Sequence, residues 1–328
     1  MSSPIPSSSD IFNLPHGFEA ACLDVFRYQY ESCRIYRAFV DGLQINSSEI
    51  KQIRDIPFLP VGLFKSHKVI AEGMEAEIVF SSSGTAGMTP SKHYVADLSL
   101  YVESFRKGFA HFYGEISDYC VLALLPSYLE REGSSLVLMA EDMIGRSMHP
   151  QSAFYLHNPD SLHAALLSLE QAGQKTILLG VTYALLDFAE IHPIKLTHTI
   201  VMETGGMKGK RKEMVREELH VFLCSQLGLK SIHSEYGMTE LLSQGYSRGE
   251  GIFQCPPWMK VLTRETSDPL SLTAPGATGG INIIDLANIH SCSFIATQDL
   301  GKVYGDGSFE ILGRFDNSDL RGCNLLVD

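Results

Sequence analysis

The chain has 328 residues, of which 45% are hydrophobic and 20% are charged, so it is long enough to bury an extensive core and to carry a smaller lobe. Its 38 acidic and 26 basic side chains give a formal charge of -12. A negative surface repels nucleic-acid backbones, which argues against a nucleic-acid partner. We therefore expect a globular protein that does not bind nucleic acid.

The sequence lacks the signals of export and of membrane insertion. Its first ten residues contain neither the basic nor the apolar region of a secretory signal. The longest apolar stretch, from Thr176 to Ala189, is too short for a bilayer. The seven cysteines are an odd number without a Cys-x-x-Cys pair, which argues against a disulfide framework and a thiolate zinc site. We expect a cytoplasmic protein without a membrane span, whose cysteines are thiols.

The predicted elements begin with helices. The spacing of apolar and aromatic residues predicts helices from Phe12 to about Gln44, and the prolines of segment 56–60 end this helical region. A short β-prone run follows at Ile78–Phe80. A helix is predicted to begin at Asp97, because four aromatic residues recur there at helical spacing, namely Tyr101, Phe105, Phe109 and Phe112.

Strands and helices alternate in the middle of the chain. The pattern predicts a buried strand at 120–125, a helix at 160–171, strands at 175–180 and 199–203, a helix at 212–227 and a strand at 230–235. One face of the helix at 212–227 is expected to consist of Met214, Val215, Leu219, Phe222 and Leu223. Such alternation indicates a mostly parallel sheet covered by helices.

Beyond Gly251 the pattern changes to short runs separated by proline and glycine, which indicates a smaller β-rich subdomain. The predicted organisation has four parts. These are a helical lead-in at 1–75, an α/β nucleotide-binding core at 76–250, the β-rich subdomain at 251–313, and a hinge remnant with a tail at 314–328.

Two segments indicate a nucleotide site in the α/β core. Ser81–Gly87 is rich in serine and glycine and follows a predicted strand, so its backbone could approach phosphates while hydroxyls and amides donate hydrogen bonds. Tyr236–Glu240 follows another predicted strand and offers an aromatic face, a hydroxyl and a carboxylate. The glycine spacing matches neither the Walker pattern nor the dinucleotide fingerprint. A P-loop NTPase and a simple Rossmann dehydrogenase are therefore disfavoured.

These segments and three others, in one order along the chain, resemble motifs of the adenylate-forming superfamily of acyl-CoA synthetases, luciferases and peptide-synthetase adenylation domains. The resemblance assigns a phosphate loop to Ser82, Ser83, Gly84, Thr85 and Gly87, with Lys92 after it. It assigns the adenine site to Glu203, Gly205, Gly206, Tyr236 and Gly237. It places Thr239 at the α-phosphate of ATP and Glu240 on Mg²⁺. This chain has Ala86 where the superfamily usually has threonine.

Two motifs in the C-terminal part complete the resemblance. Thr297–Gly301 is similar to the motif whose aspartate, here Asp299, binds the ribose hydroxyls, although Gln298 replaces the usual glycine. Gly313–Asp316 is similar to the motif whose arginine, here Arg314, lies near the ribose or the α-phosphate. The implied fold is the large N-terminal domain of an adenylate-forming enzyme. The given sequence ends about a dozen residues after Asp316, so the C-terminal lid domain is expected to be absent.

Within that superfamily the chain more closely resembles the LuxE type of acyl-protein synthetase. The similar segments are 56–60, 64–66, 124–131 and 320–326. The resemblance implies ATP-dependent activation of a carboxylic acid, by preference a fatty acid, as an acyl-adenylate. It further implies transfer to a protein thiol, here Cys323, and an acyl reductase as the receiving partner in a homo- or hetero-oligomer.

Several alternatives remain open from the sequence. Full-length superfamily members supply a catalytic lysine from the lid domain, so Lys92 or a partner subunit would have to replace it. Cys323 lies between Gly322 and Asn324 and is interpreted either as the acyl acceptor or as a packed thiol. A ligase that acylates coenzyme A or a carrier protein with an aryl or short-chain acid would have the same nucleotide motifs. The third reading is a non-catalytic nucleotide-binding subunit of a multienzyme complex.

Overall fold

A computed structural model describes residues 5–82, 89–126, 133–156, 158–205, 211 and 214–315. These residues divide into two compact units. The central unit consists of the described residues of Met74–Pro256, and the terminal unit consists of those before and after it, in Met1–Gly73 and Pro257–Asp328. The helices that were predicted at the N-terminus and the β-rich segment that was predicted near the C-terminus therefore lie in the same unit.

The helices and strands of the described residues alternate through most of the chain. The helices are α1 (Ser8–Asn13), α2 (Phe18–Ser32), α3 (Arg34–Gly42), α4 (Leu63–Ser66), α5 (Leu98–Tyr113), α6 (Ser135–Ser147), α7 (Pro159–Ala172), α8 (Thr182–Ile191) and α9 (Arg216–Leu227). The strands are β1 (Leu59–Pro60), β2 (Ile78–Ser81), β3 (Lys92–Val95), β4 (Cys120–Leu124), β5 (Ala153–Phe154), β6 (Thr176–Val181), β7 (Thr199–Thr204), β8 (His233–Tyr236), β9 (Gly245–Ser247), β10 (Ile252–Gln254), β11 (Met259–Arg264), β12 (Thr278–Asp285), β13 (Phe294–Val303) and β14 (Phe309–Arg314).

The central unit is built on a largely parallel sheet. Its strand order is β10-β9-β8-β7-β6-β4-β5, and the pairs from β8 to β5 are all parallel. Strands β4 and β6 are buried along their whole length, as expected for strands that are covered on both faces. The prediction of a helix-covered parallel sheet is confirmed. The carboxyl ends of its strands lie at one edge, where sites in such sheets are usually found.

A separate hairpin of β2 and β3 lies in the same unit. Its last strand pair is Ser81 with Lys92. The pairing continues one step further, because the amide of Ser82 donates to the carbonyl of Ser91 over 3.1 Å and the amide of Ser91 donates to Oγ of Ser82 over 2.9 Å. The predicted phosphate loop connects these two strands, and residues 83–88 of it are outside the described residues.

Helix α9 begins later than the sequence pattern predicts. It starts at Arg216, and its buried residues are Leu219, Leu223 and Leu227. Met214 and Val215, which were expected on the same buried face, are 39% and 63% exposed. The physical reason is local: Val215 is the N-cap with an extended backbone, so the helical period begins only after it.

The terminal unit has an antiparallel sheet with the order β11-β12-β13-β14, and β1 pairs with β13 in parallel. Its core includes a buried amide, Gln29 of α2. The Gln29 side chain donates to the carbonyls of Asn288 and Ile289 over 3.0 and 2.8 Å and accepts from the amide of Ser293 over 2.9 Å. One side chain thus satisfies several backbone groups of the connection between β12 and β13.

Replacing Gln29 with alanine is expected to lower the free energy of unfolding by about 2–4 kcal/mol, because buried carbonyls and an amide lose their partner in addition to the packing of the side chain. Urea unfolding checks this value. The exposed variant Gln254→Ala is the control, with an expected change below about 0.5 kcal/mol. Equal destabilisation of the two variants would contradict the role of the Gln29 contacts.

Two sequence-based expectations can be compared with the described residues directly. No helix among them is long and apolar enough to cross a membrane. None of their six cysteines forms a disulfide. Cys323, the seventh cysteine and the candidate acyl acceptor, lies outside the described residues.

Candidate active site

The segment from Tyr236 to Glu240 begins at the last residue of β8 and continues beyond the strand. Tyr236 is half-buried, and its ring meets the edge of Phe253 with the ring centroids 5.9 Å apart. A turn follows, in which the amide of Leu241 donates to the carbonyl of Met238 over 3.1 Å. Thr239 is half-buried, whereas Glu240 is only 5% exposed. The turn therefore holds an aromatic ring, a hydroxyl and a carboxylate within one short, structured segment.

The neighbouring strand β7 ends beside this segment. Thr204 pairs with Glu235 in the parallel register, so Gly205 and Tyr236 both lie at the carboxyl ends of these two adjacent strands. Gly205 is exposed and has a φ of 74°, a left-handed conformation that favours glycine. Its carbonyl accepts a hydrogen bond from the Thr182 hydroxyl over 3.3 Å. The predicted adenine segment is thus anchored to the start of α8, while its last member, Gly206, lies outside the described residues.

Glu203 has its own protein partners. Its side chain is buried, and one carboxylate oxygen accepts from the Thr182 hydroxyl over 3.1 Å. The other oxygen lies 3.7 Å from Nε of Arg216 and 3.9 Å from Nε2 of His220, both on α9. The carboxylate therefore points toward the side of the sheet where α8 and α9 pack. The assignment of Glu203 to the adenine site stays a prediction. The backbone of Gly205 is exposed and open to a ligand, whereas the Glu203 side chain is buried against protein groups.

Glu235, which the sequence analysis did not select, lies on the opposite face of β8 from Tyr236. It is buried and accepts a hydrogen bond from the Thr204 hydroxyl. Burial, more than the nearby Glu203 carboxylate, raises the pKa of Glu235 from 4.5 to about 7. A sequence signal existed: a glutamate ended the strand predicted at 230–235, directly before the aromatic residue of the motif.

His93 was also missed, although Lys92 beside it was selected. Lys92 is exposed on β3, whereas His93 is fully buried. Nδ1 of His93 lies 2.9 Å from the carbonyl oxygen of Thr239, which can accept a hydrogen bond from it. Strand β3 follows the predicted phosphate loop, so this contact joins the base of that hairpin to the turn that carries Thr239 and Glu240. Nothing in the sequence links two residues that are so far apart along the chain.

The sequence resemblance implies ATP-dependent activation of an acid, and replacing His93 with alanine is expected to reduce the rate of this activation about 10-fold, because the Thr239 carbonyl loses its partner and the turn loses its fixed position. Asparagine, whose amide can donate to the same carbonyl, is expected to recover part of the loss. The rate of ATP–pyrophosphate exchange for the two variants measures both effects. Equal loss in both variants would contradict a role for this hydrogen bond.

Asp299 and Arg314 belong to the terminal unit. They are paired in the register of β13 and β14, and Nε of Arg314 lies 3.2 Å from Oδ1 of Asp299. The Asp299 carboxylate is 12% exposed, and its backbone amide donates to the Thr297 hydroxyl over 3.0 Å. The structure thus brings these two predicted residues together as one ion pair, but their assignment to ribose and phosphate stays a prediction.

The other described site residues lie in the central unit, namely Ser82, Lys92, Glu203, Gly205, Tyr236, Gly237, Thr239 and Glu240. Ser82 and Lys92 flank the loop of the β2–β3 hairpin, and the rest lie at or just beyond the ends of β7 and β8. The loop residues Ser83, Gly84, Thr85 and Gly87 are outside the described residues. The contact between His93 and Thr239 joins the two groups.

The magnesium ion implied by the resemblance is compatible with these residues. Glu240 supplies a carboxylate, the kind of hard oxygen ligand that Mg²⁺ prefers. Within the described ranges, no group of three or more His, Cys, Asp or Glu side chains could hold a metal. Mg²⁺ is commonly held by one or two carboxylates together with substrate phosphates, so a single glutamate beside a phosphate site suits this ion.

Several solved structures have a similar fold. ATP-bound MatB from Rhodopseudomonas palustris is 17% identical with a TM-score of 0.55, over 72% of this chain and 47% of that chain. A 2-hydroxyisobutyryl-CoA ligase with its adenylate is 12% identical with a TM-score of 0.63, over 91% and 67%. O-succinylbenzoate coenzyme A synthetase (MenE) from Bacillus subtilis, with ATP and magnesium, is 19% identical with a TM-score of 0.50, over 72% and 49%.

The chain shares its fold with these proteins, which confirms the predicted α/β fold class. At these identities the likeness shows the fold alone, and the chain spans about half the length of MatB and MenE. The family described as acyl-protein synthetase, LuxE, matches residues 6–106. The resemblance to that family is therefore confirmed over these residues, which include the predicted phosphate loop. Comparison with curated proteins gives no match.

Proposed function

We propose that the protein uses ATP to activate a carboxylic acid, by preference a fatty acid, and transfers the acyl group to a protein thiol. The observation that carries the proposal is the convergence of Gly205, Tyr236, Thr239 and Glu240 at the ends of two adjacent parallel strands, with His93 tying the turn to the hairpin of the phosphate loop. The LuxE match over residues 6–106 and the shared fold support it.

The nucleotide would be bound by a small number of groups at that edge. The Tyr236 ring would stack on the adenine and the Gly205 backbone would line it, since glycine permits close approach. The Thr239 hydroxyl would donate to the α-phosphate, while Ser82 and the loop after it would donate to the other phosphates. Asp299 and Arg314 keep their sequence-based assignment to the ribose and the α-phosphate.

The first reaction joins the acid to AMP. An oxygen of the substrate carboxylate forms a bond to the α-phosphorus, the bond from that phosphorus to the bridging oxygen breaks, and pyrophosphate leaves. The transition state carries additional negative charge on the phosphoryl oxygens, so donors that are already in position lower the barrier most. Thr239 is such a donor, and Lys92 offers an exposed ammonium beside the loop. Mg²⁺, when bound at Glu240, supplies positive charge to the phosphates.

The second reaction transfers the acyl group. A thiolate sulfur attacks the acyl carbonyl, the bond to the phosphate oxygen breaks, and AMP leaves, so that a thioester replaces the mixed anhydride. We assign the thiol to Cys323 from the sequence resemblance. An acyl reductase of the same system would then receive the acyl group.

An ATP–pyrophosphate exchange assay over fatty, aryl and short-chain acids, with Mg²⁺ present, tests the proposal. Exchange that depends on a fatty acid is expected, together with a hydroxylamine-labile acyl adduct on the intact protein. Absence of exchange with every acid, also after addition of the products of neighbouring genes, would overturn the proposal in favour of a non-catalytic nucleotide-binding subunit.

A second candidate is a ligase that acylates coenzyme A. The observation in its favour is that structures with this fold include enzymes named as a CoA ligase and a coenzyme A synthetase. The same assay separates the candidates when it is followed by addition of coenzyme A. Release of acyl-CoA without a protein adduct supports the ligase, whereas an adduct that coenzyme A does not remove supports the acyl-protein synthetase.

A further inference from the structure

The carboxyl group of Glu235 lies close to the backbone of Gly237. A Cβ atom placed on Gly237 would lie 2.5 Å from Oε1 of Glu235, so a side chain at this position would displace the carboxyl group. Its other oxygen accepts the hydrogen bond from Thr204. Glu235 thus contacts the ends of both strands from which the candidate adenine segments continue.

Among the described residues, the charged side chain that shifts the pKa of Glu235 is a carboxylate and not a cation. The carboxylate of Glu203 on β7 disfavours a negative charge on Glu235. Tyr101 of α5 and Tyr246 of β9 face it as neutral phenols, because burial raises the pKa of both. On its own strand, burial and Arg248 lower the pKa of His233 to about 4, so that this imidazole is neutral at pH 7. Burial and the Glu203 carboxylate favour the protonated form of Glu235 and together outweigh the hydrogen bond from Thr204, which favours the ionised form.

We propose that Glu235 is a positioning residue that holds the Tyr236–Gly237 backbone in its nucleotide-binding conformation only while its carboxyl group is protonated. The inference rests on the proposed function, because it concerns the same nucleotide site. Two physical effects favour this coupling. An ionised carboxylate is poorly solvated in this buried position, so it would move toward water and away from Gly237. Its charge would also repel the anionic phosphates of the ligand. Binding of nucleotide and retention of the proton therefore favour each other.

The test measures the affinity for adenosine 5′-methylphosphate, whose phosphodiester keeps one negative charge throughout the pH range used. For the wild-type protein the dissociation constant is expected to rise about 10-fold between pH 6 and pH 8, since binding to the protonated form loses tenfold per pH unit above the pKa. In Glu235→Gln, which keeps the shape and cannot ionise, the constant is expected to change less than 2-fold. Glu141→Gln on the exposed face of α6 is the control and should keep the wild-type profile.

A second measurement does not need the ligand. The pKa of Glu235 is higher in the folded protein than in the unfolded chain, so its stabilising contribution is complete below about pH 4.5 and is lost as the pH rises to about 7. The free energy of unfolding of the wild type should fall over this window relative to that of Glu235→Gln. Urea unfolding at several pH values measures the difference, and an unchanged difference would show that Glu235 does not retain its proton.

The outcomes separate the inference from the proposed function. A wild-type protein that binds the phosphodiester at no pH overturns both. A pH profile that is flat in the wild type, or that stays equally steep in Glu235→Gln, overturns the role of Glu235 and leaves the nucleotide site intact. Calorimetry of the wild type in two buffers of different ionisation enthalpy gives the same decision without a variant: net proton uptake on binding near pH 7.5 is expected, and its absence overturns the inference.

Discussion

ATP–pyrophosphate exchange is expected to fall at least about 100-fold when Glu240 is replaced by glutamine, and no less in Glu240→Ala. Glu240 is buried at the end of the turn after β8, so its carboxylate is held in a defined position. Glutamine keeps the size and the hydrogen-bonding oxygen of the side chain but removes its negative charge. A magnesium ion at this position would require that charge. The loss should therefore follow from electrostatics and not from misfolding.

Measurement of exchange at several Mg²⁺ concentrations distinguishes these causes. If Glu240 binds the metal, the Mg²⁺ concentration for half-maximal exchange should rise in Glu240→Gln, while the melting temperature should stay within a few degrees of the wild type. Glu141→Gln, an exposed variant of the same unit, is the control and should retain full exchange. Exchange within 3-fold of the wild type in Glu240→Gln would contradict the assignment.

The second large effect concerns the acyl acceptor. Replacing Cys323 with serine is expected to abolish the hydroxylamine-labile acyl adduct while leaving ATP–pyrophosphate exchange within about 2-fold of the wild type. The reason is that serine is a far weaker nucleophile than a thiolate at neutral pH, whereas activation of the acid precedes the transfer and does not use the thiol. Mass spectrometry of the intact protein after incubation with ATP and the acid measures the adduct, and the exchange assay measures activation.

The half-buried cysteines Cys224 and Cys255 provide matched controls. Burial raises the pKa of Cys224, which lowers its thiolate fraction, so Cys224→Ser should leave the adduct unchanged. Persistence of the full adduct in Cys323→Ser would refute the acceptor assignment. Simultaneous loss of exchange would instead indicate that Cys323 takes part in activation.

Local patterns in the sequence were sufficient to predict several strands and helices of the central unit. Strands predicted at 175–180 and 199–203 are found at Thr176–Val181 and Thr199–Thr204, since continuous apolar runs mark strands that are buried on both faces. The helix predicted at 160–171 is found at Pro159–Ala172. The start of α9 was predicted too early, because apolar residues before Arg216 continue the helical spacing although their backbone is not helical.

The candidate site also has a part that was predicted from the sequence and a part that only the structure revealed. The sequence by itself determined which groups are proposed to carry chemistry, namely the serine- and glycine-rich loop, Tyr236, Thr239 and Glu240, because their residue types and order are readable along the chain. Only the tertiary structure decided that His93 contacts Thr239 and that Glu235 lies between Thr204 and Gly237. The contacts of His93 with Thr239 and of Glu235 with Thr204 join residues that are distant in sequence, and they depend on strand register and burial, which no local pattern encodes.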